Sequence, residues 1–299
     1  MEDKSYSKEK LKVAFLSFQK DAERVPPIGL VYLATYLKEK KGIKNVKIID
    51  KNFDDIEKEL ANFSPDLVCM TSMTVHFMDV VKFAEEYKKK STTPIIIGGV
   101  HISTLPISFK PCFDIGVIGE GEETLSELID IYIKNGKFDY KNLKKVEGLV
   151  FLHEDEIIIN KKRQDLELDT LPIPDFDLVN KEYFSKQEIP GPNLLVRRAF
   201  ILTSRSCPYK CKFCSTSHFW GKVRFHSPEY TAKLIKHNMD KYNVTYIKIL
   251  DDLFTVSLER LTSIKKELEK LGVLDKIEGM EYQPRANLIN NDLCKVMQE

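Results

Sequence analysis

The feature that most constrains this chain is an alternation of two periods. Short β-rich runs at 11–18, 46–50, 66–72, 94–100 and 113–119 are separated by stretches whose apolar residues recur three and four apart. The helical stripes are Leu30, Leu33, Ala34, Leu37, then Phe77, Val80, Val81, Ala84, then Leu125, Leu128, Ile129, Tyr132, Ile133. Such alternation predicts a parallel sheet wrapped by helices, and five units of it make a doubly wound α/β domain. Ligands of such sheets sit at the carboxyl ends of the strands. Those ends are polar here, at Thr71-Ser72-Met73-Thr74, Gly98-Gly99-Val100-His101 and Gly119-Glu120-Gly121-Glu122-Glu123.

The pattern changes at 146. Apolar runs at 146–151 and 157–159 flank a polar 153–156, as in a hairpin, and the Pro-rich, acidic stretch 169–192 reads as a linker. Alternation resumes with strand 199–203, helix 228–242, strand 244–250, helix 258–271 behind the N-cap Ser257, strand 277–282 and a helix from Asn291. The expected division is therefore 1–145, 146–195 and 196–299, the last holding about three βα units. Hydrophobic residues at 42% and charged residues at 30% suit folded domains. Lys+Arg 46 against Asp+Glu 45 leaves no basic excess for nucleic-acid phosphates. No apolar tract approaches the ~20 residues that span a bilayer, so a cytoplasmic chain without a membrane span is expected.

Three of the six cysteines crowd one loop directly after strand 199–203: Cys207, Cys211 and Cys214, spaced C-x-x-x-C-x-x-C. Three thiolates can hold three irons of a four-iron cluster and leave the fourth open to a ligand. Arg205, Lys210 and Lys212 put positive charge beside such a group. Structural zinc is the alternative, with His218 as a fourth ligand.

The segment 206–214, ending in Lys212-Phe213-Cys214, resembles the signature of the radical S-adenosylmethionine superfamily. The resemblance implies that the open iron chelates S-adenosylmethionine, whose reductive cleavage gives a 5′-deoxyadenosyl radical, and that Phe213 lies near the adenine. Asp251 and Asp252, ending the second strand, are similar to the acidic motif that contacts the S-adenosylmethionine amino group. Gln283-Pro284-Arg285-Ala286-Asn287, ending the third, also looks like the family, and Arg285 is able to pair with a carboxylate bidentately.

The amino-terminal half resembles the cobalamin-binding domain that precedes the radical module in one branch of that superfamily. The resemblance rests on Pro26-Pro27-Ile28-Gly29-Leu30, Pro65-Asp66-Leu67-Val68, Ile97-Gly98-Gly99-Val100-His101 and Gly119-Glu120-Gly121-Glu122-Glu123-Thr124. Gly98 and Gly99 are expected to let backbone approach a bulky ligand, Ser72 and Thr74 to hydrogen-bond its tail, and Glu120 to belong to the same site. Many such domains carry D-x-H-x-x-G, whose His lies below the cobalt, but 19–29 contains no His. Members lacking it still bind cobalamin. His76 and His101, the nearby imidazoles, read as hydrogen-bonded loop residues. A flavodoxin-like domain without ligand is the alternative.

The resemblance implies a flavodoxin-like cobalamin-binding domain followed by a partial radical S-adenosylmethionine barrel, since the family barrel has six βα units and three are expected here. It implies a 4Fe-4S cluster, S-adenosylmethionine and cobalamin as cofactors, a flavodoxin or ferredoxin as electron donor, and methyl transfer to a carbon of a small-molecule or peptide substrate. Cyclisation or rearrangement, or an incomplete binding fragment without catalysis, are the rivals. A methylthiotransferase needs three further cysteines upstream, where only Cys69 and Cys112 stand.

Overall fold

A computed structural model describes residues 6–19, 25–189 and 194–298. Two compact units divide the chain: Met1–Leu166 with Pro172–Asn180, and Glu167–Leu171 with Lys181–Glu299.

The first unit runs β1 (Lys12–Ser17), α1 (Ile28–Lys41), β2 (Asn45–Asp50), α2 (Ile56–Phe63), β3 (Leu67–Thr71), α3 (Phe77–Lys90), β4 (Ile95–Gly98), α4 (Val100–Thr104), β5 (Ile115–Val117), α5 (Glu122–Asn135), α6 (Tyr140–Leu143), β6 (Leu149–His153) and β7 (Glu156–Ile159). One seven-stranded sheet results, in the order β2-β1-β3-β4-β5-β6-β7. Its first five strands are parallel, the doubly wound expectation, with the order reversing between β1 and β3. The β1 residues Val13 to Leu16 and the β4 residues Ile95 to Ile97 are buried without alternation because helices cover both faces of this sheet. Helix α3 buries Phe77, Val80, Val81 and Ala84, the stripe seen in the sequence.

The expected hairpin forms as β6 and β7. These strands continue the first sheet antiparallel, Gly116 opposite Val150 and Phe151 opposite Ile158; Leu149, Val150 and Phe151 are buried, while Ile157 and Ile159 stay exposed. Of the expected linker 169–192, residues 169–189 are described and 190–192 lie outside the described residues. Pro172 and Pro174 forbid regular helix, yet short 3-10 turns at Leu168–Thr170, Phe176–Leu178 and Lys181–Phe184 bury Leu168, Leu171, Phe176 and Tyr183.

The second unit runs β8 (Lys186–Ile189), β9 (Leu194–Ile201), β10 (Ser204–Arg205), α7 (Thr216–Trp220), β11 (Arg224–Phe225), α8 (Pro228–Tyr242), β12 (Tyr246–Ile249), α9 (Leu258–Lys270), β13 (Gly279–Glu281) and α10 (Asn291–Gln298). Its main sheet has the order β13-β12-β9-β8. The strands β9, β12 and β13 are parallel, as three successive βα units require, and β8 pairs antiparallel on the far side of β9. Ser227 caps α8 by accepting from Tyr230 N–H, with Pro228 at the first helical position, and Ser257 caps α9 by accepting from Arg260 N–H. Among the described residues no helix is long and apolar enough to cross a membrane.

Candidate functional site

In the second unit the chemistry gathers at the carboxyl ends of β9, β12 and β13. β9 leads through β10 to Ser206, which is 2% exposed and holds φ at 77°, a left-handed conformation rare for serine. Its hydroxyl donates to Gly221 carbonyl at 3.1 Å. This strained residue launches the loop of Cys207, Cys211 and Cys214. All three thiols are free and partly exposed. The Cys214 N–H donates to the Cys211 carbonyl at 3.0 Å, a tight turn at the end of the loop. Among the described residues no three His, Cys, Asp or Glu side chains converge into a group that could hold a metal ion. Soft thiol donors in this number suit iron-sulfur ligation, which leaves one iron without a protein ligand. The side chain of His218 lies outside the described residues. Phe213 presents its ring to solvent, 94% exposed.

The acidic pair after β12 splits into two roles. Asp251, read from sequence as a ligand for S-adenosylmethionine, is 1% exposed and already saturated. It accepts from Thr203 N–H and hydroxyl, both at 2.6 Å, and from Ser204 N–H at 3.2 Å and hydroxyl at 2.6 Å. Burial raises its carboxyl above the usual range, while those donors and the Arg260 charge pull it back. It is a clamp between the ends of β12 and β9, not an open carboxylate. Asp252, at the rim, accepts from the Thr216 hydroxyl at 3.0 Å, two residues past Cys214. Its carboxyl is also raised by burial, with Asp251 adding repulsion.

Arg205, read from sequence as a charge beside the cysteines, is buried with its guanidinium 5.1 Å from the Trp220 ring. The cation that reaches a sulfur is Arg285, whose Nη1 lies 3.6 Å from Cys211 Sγ.

Sequence reasoning missed a buried network under this loop. Arg260 donates from Nη2 to Thr203 carbonyl at 3.1 Å and hydroxyl at 2.9 Å, its guanidinium between the rings of Phe225 and Phe254. His226, 3% exposed, pairs Nδ1 with Asp169 Oδ1 at 2.9 Å and stacks on Tyr230. Burial pushes the His226 imidazole down to about 4. Asp169 stands 57 positions earlier, so no local pattern announces the pair.

In the first unit the polar strand ends meet at the carboxyl edge of the sheet, but several groups are spent on the protein itself. Ser72 donates its hydroxyl to Met73 carbonyl at 2.8 Å, and Glu120 accepts from Leu166 N–H at 3.0 Å. Thr74 bonds His101 Nδ1 at 3.1 Å, and His101 Nε2 meets Ser108 Oγ at 2.9 Å. Ser108 gives its own proton to Leu105 carbonyl at 2.7 Å. It therefore accepts from His101 Nε2, leaving Nδ1 to accept from Thr74. Burial lowers the His101 pKa, which agrees with a neutral ring having both nitrogens engaged. Gly99 holds φ at 92°, where a Cβ would sit 2.5 Å from Thr71 Oγ1 and 2.9 Å from Ser72 N and O. Glycine is required there by the adjacent strand end, whereas a Cβ on Gly98 would meet nothing closer than 3.8 Å. The segments that follow β3 and β4 also expose the apolar side chains Met73, Val75, Met78, Leu105 and Ile107. Residues 20–24, within the stretch 19–29 that stands where other such domains carry D-x-H-x-x-G and that contains no His, lie outside the described residues.

A doubly wound domain with a ligand edge, followed in the chain by a parallel sheet bearing a three-cysteine loop, defines the class of protein. Residues 18–129 match the B12 binding domain family. The chain is 30% identical over 282 residues to an uncharacterised methyltransferase of Pyrococcus horikoshii, covering 92% of this chain and 58% of the relative. It is 27% identical over 268 residues to the anaerobic magnesium-protoporphyrin IX monomethyl ester cyclase of Cereibacter sphaeroides, covering 85% of this chain and 42% of that enzyme. Its fold is similar to the radical S-adenosylmethionine methyltransferase TsrM from Kitasatospora setae, solved with cobalamin and a 4Fe-4S cluster bound. That match has a TM-score of 0.72 and 18% identity, covering 96% of this chain and 56% of TsrM. Residues 18–129 carry the B12-binding domain, and the chain as a whole is similar to a methyltransferase, a cyclase and a radical S-adenosylmethionine methyltransferase, each of which it covers in part. It spans about half the length of the curated relatives it matches.

Proposed function

We propose that this chain carries the cofactor-binding portion of a cobalamin-dependent radical S-adenosylmethionine enzyme that transfers a methyl group to a substrate carbon. The observation that carries the reading is that one sheet edge holds three free thiols after β9, Asp252 after β12 bonded beside Cys214, and Arg285 after β13 directed at Cys211. Cys207, Cys211 and Cys214 would hold the 4Fe-4S cluster, the partly exposed loop drawing its sulfurs together on binding. Asp252 offers the rim carboxylate for the amino group of S-adenosylmethionine, and Phe213 an aromatic face for its adenine. In the first unit, the exposed apolar side chains of Met73, Val75, Met78, Leu105 and Ile107 offer a surface for a corrin, with Thr74, His101 and Ser108 holding the same segments. When bound, the cluster and cobalamin supply the electron and the methyl carrier that side chains lack. The exposed Lys210 and Lys212 suit an acidic flavodoxin or ferredoxin as electron donor.

The test is anaerobic reconstitution with iron, sulfide and hydroxocobalamin, comparing the chain with a variant in which all three cysteines are Ala. A cluster spectrum in the first and none in the second supports the reading. Full iron and sulfide in the variant, or stoichiometric zinc in the native chain, overturns it. Relatives include a cyclase, which favours a second reading, ring closure. Methyl-labelled S-adenosylmethionine distinguishes the two, since only methyl transfer moves label into cobalamin and product.

A further inference from the structure

The chain after β13 reaches the thiol loop through Arg285 and Asn287. The Arg285 guanidinium carbon lies 3.6 Å from the centroid of the Tyr209 ring. Its Nη1 points at Cys211 Sγ at 3.6 Å, and its Nε donates to Asn287 Oδ1 at 2.7 Å. Asn287 Nδ2 in turn reaches the Tyr209 hydroxyl at 3.5 Å. Tyr209 fixes the plane of the guanidinium and Asn287 fixes its rotation, so the N–H directed at sulfur is aimed in advance. With Nε and Nη1 both engaged, neither forked edge of Arg285 is wholly free for a substrate carboxylate.

We infer that Arg285 is a positioning residue that sets the reduction potential of the group held by Cys211. The inference rests on the reading that Cys207, Cys211 and Cys214 bind a cluster. Reduction adds one electron, and the negative charge it brings spreads onto the thiolate sulfurs. A fixed cation donating N–H to one of those sulfurs favours the reduced form. Tyr209 acts through Arg285 and should matter as a ring rather than as a hydroxyl.

Spectroelectrochemical titration of the reconstituted chain tests this, with mediators and dithionite as reductant. At the midpoint potential of the native chain, Arg285→Gln should lower the reduced-to-oxidised ratio about threefold or more. Tyr209→Leu should shift it the same way, Tyr209→Phe should leave it unchanged, and Arg285→Lys should restore part of it. A fully loaded Arg285→Gln variant with the native ratio overturns the inference while leaving cluster binding intact. Reduced loading of Arg285→Gln at an unchanged ratio would make Arg285 a structural prop and also overturns it. A native chain that takes up no cluster removes the parent reading and this inference with it.

Discussion

Asp251 and Thr203 are joined twice, the carboxylate taking the threonine N–H through one oxygen and its hydroxyl through the other, both at 2.6 Å. With Ser204 on the same carboxylate, this pairing locks the end of β12 to the point where the chain leaves β9 for the cysteine loop. Replacing Asp251 by Ala would strand buried donors and the Arg260 charge. A loss of about 3 kcal/mol or more is expected in urea unfolding. Asp252→Asn should stay within ~0.5 kcal/mol of the native chain, its carboxylate lying at the rim. Equal stability of Asp251→Ala and Asp252→Asn would refute the clamp.

The same split predicts opposite behaviour toward ligand. In the reconstituted chain, calorimetric titration with S-adenosylmethionine should find Asp252→Asn about tenfold weaker, the cost of one charge-assisted hydrogen bond. Unchanged affinity would remove Asp252 from the site.

His226 makes stability depend on pH. Unfolded, its imidazole takes a proton near its ordinary 6.5, whereas the folded chain resists protonation until about 4. The unfolded state therefore binds more protons between these values. The His226 contribution is complete above pH 6.5 and declines as pH falls toward 4, by up to about 3 kcal/mol. Asp169, held below the usual carboxylate range by Ser227 and His226 against the opposing effect of burial, adds a further loss below its ordinary 3.8. Urea midpoints at pH 7 and pH 5 measure the decline. A His226→Gln variant should show a shallower fall, and an unaltered fall would assign the titration elsewhere.

The two adjacent glycines should respond differently to a methyl group. Gly99→Ala forces a Cβ onto Thr71 and Ser72 at an unfavourable φ and should cost about 2 kcal/mol or more. Gly98→Ala meets only ordinary contacts and should cost under ~1 kcal/mol. Thermal unfolding ranks them. If Gly98→Ala keeps its stability yet loses cobalamin, backbone approach to the ligand at 98 is established directly.

With both His101 nitrogens engaged, the cobalt(II) form of bound cobalamin should lack protein imidazole-nitrogen coupling in paramagnetic resonance. Clear histidine coupling that disappears in His101→Ala would show that the ring leaves Thr74 and Ser108 to bind cobalt.

Much of the architecture was legible because it rests on local periodicity. The stripe Phe77, Val80, Val81, Ala84 names its buried face without help, and Ser227-Pro228 and Ser257 mark helix starts by chemistry that acts within four residues. The cysteine spacing likewise places three thiols on one loop. Less legible was the packing of the linker. Its prolines signalled irregular backbone correctly but said nothing of Phe176 and Tyr183, whose burial depends on surfaces supplied from elsewhere in the chain.

By itself, the sequence determined which residues are apolar at which period, hence the strands, the helices and the loop on which the thiols lie. Only the tertiary structure decided what the charged groups do there. Asp251 and Asp252 are adjacent in sequence, yet one is buried beneath Thr203 and Ser204 and the other meets Thr216 at the rim. Arg205, two residues before Cys207, turns to Trp220, while Arg285, 74 positions from Cys211, reaches its sulfur. Periodicity is a property of neighbours along the chain. The role of a charge is set by desolvation and by the few ångströms to its partner, and the parallel sheet brings those partners together from strand ends far apart in sequence.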